Sequence, residues 1–135
     1  MNEHKIPSKR EIKETAQRIT VEDITSVVNR KTEISDKLDK IDKNVFTKLH
    51  NQVNLFQSML EDHISSRYQN FNTETIGSAV VAIKYFLSPG DYIPDSSQPL
   101  GYFDDAEVAS QVMISSQQEI EEYIKWKDLN VNDYY

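Results

Sequence analysis

The chain has 135 residues, 38% hydrophobic and 27% charged, with a formal net charge of −7 and no cysteine. That length predicts one domain with a modest core. The missing cysteines exclude disulfides, thiolate metal sites and cysteine nucleophiles, and fit a reducing cytosol.

The charge is lopsided. Residues 1–60 carry 11 Lys/Arg against 9 Asp/Glu, and residues 61–135 carry 4 against 13. The acidic second half argues against a nucleic-acid backbone as ligand and suits a basic protein partner or a cation.

Residues 1–19 read as a flexible polar arm with a short helix from Lys9 to Arg18. Their start has no apolar run of the kind a secretory signal needs. TVED, from Thr20, matches a capping-box helix start. Ile24, Val27, Ile34, Leu38 and Ile41 then recur at helical spacing over residues 20–43. Lys31 interrupts this stripe, so the helix either breaks near Asn29–Thr32 or runs on with a thin apolar face. A stronger stripe follows, with Leu49, Phe56, Leu60 and Ile64 on one face, and predicts a long amphipathic helix from about Ser35 to Tyr68.

Asn72 or Thr73 is suited to cap the next helix, which runs to about Leu87. Its apolar run from Ile76 to Leu87 contains Lys84 and falls well short of the ~20 residues that a membrane span requires. This segment therefore predicts a buried helix. LSPGDYIPDSSQPLGYFDD comes next, and Asp104 reads as the N-cap of a last helix reaching Lys127. Residues 128–135 form a polar and aromatic tail. The sequence thus predicts an all-α fold: a small helical bundle with one long amphipathic helix and a Pro/Asp-rich interhelical turn.

The turn carries the most chemistry. Pro89 and Pro94 cannot continue a helix, and Ser88 before Pro89 is pushed towards extended backbone. Gly101 offers a positive φ, and Tyr102 offers a ring to bury and a hydroxyl to bond. Ser88, Pro89, Pro94, Gly101 and Tyr102 are accordingly read as the structural frame of a tight crossover. Asp91, Asp95, Asp104 and Asp105 supply enough carboxylate for Mg²⁺ or Ca²⁺ if they converge. Their spacing is not that of an EF-hand loop. His4, His50 and His63 lack metal-site spacing, and no catalytic triad or phosphate-cradling glycine loop is present. No catalytic residue or cofactor is assigned.

Tyr85, Ser88, Pro89, Asp91, Ile93, Pro94, Asp95, Leu100, Gly101, Tyr102, Asp104 and Asp105 fall in a defined order and spacing. Over roughly residues 74–113 this pattern resembles the YkvA-like family, a bacterial domain without an assigned activity. The resemblance implies a helical domain, set at residues 44–127, and a bacterial origin; it implies no mechanism.

Two functional expectations follow. The first is a non-catalytic interaction module: an adaptor, an assembly subunit or an immunity-type inhibitor. Ile24, Val27, Ile34, Leu38 and Ile41 would be its partner-binding or self-association stripe, unless they pack on the chain's own helices. The second is a small cation-binding module or metal-dependent enzyme centred on the four aspartates.

Overall fold

The computed structural model describes residues 7–87 and 98–135. Among these residues the chain is an all-α bundle without strands, as its periodicity predicts. The helices are α1 (Lys9–Ala16), α2 (Val21–Val28), α3 (Lys31–Asp39), α4 (Thr47–Ile64), α5 (Thr73–Leu87), α6 (Gln98–Ser115) and α7 (Gln117–Trp126), followed by a 3₁₀ turn at Val131–Asp133.

α5 is the central element. It is buried on nearly every side, from Thr75 through Phe86, as expected of a helix that is apolar all round. Asn72 caps it by accepting from the Thr75 amide at 2.8 Å. α1, α2, α3, α4 and α6 all pack against it. Gly77 sets the closest of these approaches. A Cβ at this position would lie 2.2 Å from the Ala16 carbonyl oxygen, so any larger residue forces α1 away.

The first three helices correct two expectations. Residues 9–16 are not a free arm: a reciprocal Ser8–Glu11 capping box starts α1, and Ile12 and Ala16 are buried. The expected cap at Thr20 is present, with the Asp23 amide donating to its hydroxyl at 3.2 Å. The region before α4 then folds as two separate helices. α2 ends at Val28, α3 spans Lys31–Asp39, and α4 begins only at Thr47.

Geometry accounts for the breaks. One straight helix over residues 21–68 would be ~70 Å long, far beyond the width of a small domain. Broken, it can fold back and bury Ile24, Val27, Ile34, Leu38 and Ile41 together in the chain's own core. The second break is held by Asp42, whose carboxylate accepts from the Asn44 amide and whose carbonyl accepts from the Phe46 amide, each at 2.9 Å. Such local bonds compete with helix continuation.

The C-terminal residues also pack down. Gln52 donates to the Tyr134 carbonyl at 2.7 Å, Asn51 donates to the Asp133 carbonyl at 2.8 Å, and the Tyr135 hydroxyl donates to the Met113 carbonyl at 2.8 Å. The aromatic tail is thereby fixed between α4 and α6.

Candidate functional site

Three polar or apolar features stand out, each set by the ends of helices. The first lies where α4 and α7 terminate. Asp62, in the last turn of α4, is 1% exposed. Its Oδ1 accepts from Arg67 Nε at 2.8 Å, and its Oδ2 accepts from the Tyr123 hydroxyl at 2.6 Å and Lys127 Nζ at 2.7 Å. Ser58 Oγ lies 2.6 Å from the same tyrosine oxygen. Burial alone would raise the Asp62 carboxyl, but the bonds from Lys127, Tyr123 and Arg67 overcome it and hold the group down at about 2. Burial and the bond to Asp62 push the Tyr123 phenol up. The two helices end alike: Ser66 and Asp128 adopt positive φ just past them, and the following amides, of Arg67 and Leu129, return to Asp62 and Ile124. This cluster ties two helix ends together and has no open position.

The second feature lies beside the last turn of α5. Asp105 is 3% exposed, and among the described residues neither of its carboxylate oxygens has a hydrogen-bond donor. Burial is the main reason its carboxyl is pushed up to about 7; the Lys37 charge opposes this and the Asp104 charge adds to it. Lys37, from α3, donates to the Phe86 carbonyl and stands 4.7 Å from the centre of the Phe86 ring. It thus covers a terminal carbonyl that α5 cannot satisfy itself. Burial pulls the Lys37 ammonium down, while Asp105 holds it up.

The third feature is a groove between α4, α6 and the C-terminal turn, with a volume of about 400 Å³, lined chiefly by Leu49, Ala106, Met113, Ile114 and Tyr135. Ile114 is 62% exposed. Phe103, 60% exposed, lies on α6 two turns before Ser110 and packs edge-on against Phe46, with centroids 5.0 Å apart. Val45, next to Phe46, is 62% exposed. Glu107 and Glu121 flank this face: Glu107 is an exposed residue of α6, and the Glu121 charge acts on the Tyr135 phenol.

The residues singled out by sequence distribute unevenly. Ser88, Pro89, Asp91, Pro94 and Asp95 lie outside the described residues. Gly101 falls in the first turn of α6, so its backbone serves a helix and not a left-handed turn. Tyr102 is half-buried, with its ring 6.0 Å from that of Phe46. Asp104 is not an N-cap: α6 begins at Gln98, which places Asp104 inside the helix and buried. Among the described residues, no three metal-ligating side chains converge. The stripe Ile24, Val27, Ile34, Leu38 and Ile41 is buried, so it cannot serve as a partner surface while the bundle is folded. His50 is a buried histidine whose Nε2 lies 2.9 Å from the Leu38 carbonyl, while its Nδ1 has no hydrogen-bond partner among the described residues.

Sequence reasoning missed Lys37 and Asp62. Both carry a visible signal. Lys37 sits three residues after Ile34 and four before Ile41, at a core-facing spacing, and Asp62 stands three residues after Met59. A charge at a core position requires a partner.

The chain is 32% identical over 75 residues to the "Uncharacterized membrane protein YkvA" of Bacillus subtilis (strain 168), which covers 56% of this chain and 71% of that protein. The chain belongs to the YkvA-like family. A family model described as linker for activation of T-cells family member 2 also matches, over residues 1–134. The two descriptions differ. Membership of the YkvA-like family agrees with the ordered motif from Tyr85 to Asp105, whereas the linker match is a likeness of the whole chain. No solved structure matches. Among the described residues, no helix is long and apolar enough to cross a membrane.

Proposed function

We propose that this member of the family is a non-catalytic, adaptor-type interaction module, which docks a basic amphipathic segment of another protein on the face of α6. The observation that carries this reading is the pairing of Phe103 and Ile114, both largely exposed, with the apolar groove beside them. Apolar anchors in a partner could fill the groove, while Glu107 and Glu121 favour lysine or arginine at its rim. An adaptor, an assembly subunit and an immunity-type inhibitor would all use such a face. The linker description of the matching family model supports the first.

The test is site-specific photocrosslinking in cells, with p-benzoylphenylalanine at position 103 and, as a control, at the exposed Val21. A discrete adduct from position 103 that is absent from position 21 and lost on Ile114→Asp supports the reading. Adducts that are equal at both positions, or insensitive to Ile114→Asp, contradict it.

A second reading is favoured by Asp105 alone: a buried carboxylate without a donor is one that Mg²⁺ or Ca²⁺ would satisfy. It keeps Asp91, Asp95, Asp104 and Asp105 as the proposed ligands. Lys37 weighs against it, because its ammonium already supplies positive charge to Asp105. Calorimetric titration with each cation, controlled by Asp104→Asn and Asp105→Asn, decides. No heat and no melting shift removes the cation reading.

A further inference from the structure

A second cavity, of about 240 Å³, lies between α1, α5 and α6 on a different face from the docking groove. α1 closes tightly on α5 at Ala16 and Gly77, and the cavity opens beside its earlier turns. Lys9 and Lys13, one helical turn apart, line it together with Glu74, Ser78 and Gln111. Among the described residues, neither lysine nor Glu74 has an ion-pair partner, although their neighbours Arg10 and Glu14 pair with each other at 3.2 Å. Two free cations and a free carboxylate therefore share one concave space.

Gln111 lines the cavity with the rest of its side chain: its Nε2 donates to Glu107 at 3.2 Å, while its Oε1 is closed off from solvent. Ile12 and Val112 give the cavity an apolar wall.

We infer that this cavity binds a compact zwitterion, such as a small amino acid or aminoalkyl phosphate. Lys9 and Lys13 receive the anionic group, and Glu74 receives the ammonium. A simple anion would leave the carboxylate unpaired, and a simple amine would leave both lysines unpaired. The volume lies below the ~300–1,000 Å³ of sites for drug-sized ligands, which restricts the occupant to a small molecule.

The test is calorimetry on the full chain with L-alanine, β-alanine and phosphoethanolamine, set against acetate and ethylammonium as half-ligands. At least one zwitterion is expected to bind about tenfold or more tighter than either half-ligand. Lys9→Gln/Lys13→Gln is expected to weaken that binding at least about tenfold without shifting the thermal melt, because both side chains are exposed. Glu74→Gln is expected to reduce the preference for the zwitterion over acetate. No binding by any zwitterion up to about 20 mM would overturn the inference, as would acetate binding equally well or a double variant that binds unchanged.

Discussion

Asp62 and Asp105 are both almost fully buried, one beside the end of α4 and the other beside the end of α5, yet their surroundings differ sharply. Asp62 accepts from an arginine, a lysine and a tyrosine. Asp105 has no donor among the described residues and shares one lysine with the Phe86 carbonyl. The two carboxyls are driven in opposite directions, down to about 2 and up to about 7. Burial dominates at Asp105, which lies deeper among protein atoms and lacks donors, whereas three donors overcome it at Asp62. The difference separates a locked end of the bundle from an unsatisfied one.

Removing the better-satisfied group should have the largest effect. Asp62→Ala takes the carboxylate partner from the buried Tyr123 hydroxyl and releases Lys127 and Arg67 to solvent, and is expected to destabilise the fold by about 2–3 kcal/mol, read as a fall in denaturant midpoint. In the intact chain a carboxyl held down in the fold stabilises above its unfolded range. This contribution should be complete above about pH 4 and fade as pH falls towards 2.

Asp105 has the opposite sign. The folded chain keeps a proton that the unfolded chain releases, so stability should fall as pH rises from about 4 to about 7. Asp105→Asn should therefore raise stability at pH 8 by roughly a few kcal/mol, and by about a third as much at pH 5. A variant that changes stability equally at both pH values would break the comparison.

Two smaller substitutions sharpen it. Tyr123→Phe removes one donor from Asp62 and the partner of Ser58, and should cost about 1–2 kcal/mol by chemical denaturation while raising the Asp62 carboxyl. Lys37→Met leaves the Phe86 carbonyl without its side-chain donor, and should cost about 1 kcal/mol. It should also move the Asp105 titration further upward, visible by carboxyl ¹³C NMR.

Much of the fold was legible in the sequence. The capping box at Thr20, the cap at Asn72 and the buried α5 followed from residue type and spacing. The breaks before α4 were less legible. Asn29–Arg30 gave an ambiguous signal, and Asp42 acts through local bonds that periodicity does not register. The stripe from Ile24 to Ile41 was read correctly as helical and apolar, but a stripe does not say whether it faces its own chain or another. The reading of Asp104 as a cap failed because α6 starts earlier, at Gln98, and an acidic residue by itself does not tell a first turn from a helix interior. Sequence also could not place Tyr135 beside α6, since the residues that hold it, Lys48 and Met113, are remote in the chain.

The most direct measurement is a site-resolved carboxyl ¹³C titration of Asp62 and Asp105 in the folded chain, carried from acid to mildly alkaline pH. The account predicts that Asp62 stays ionised down to about 2, and that Asp105 takes up its proton near about 7. Both groups titrating together in the ordinary aspartate range, near about 4, would contradict it.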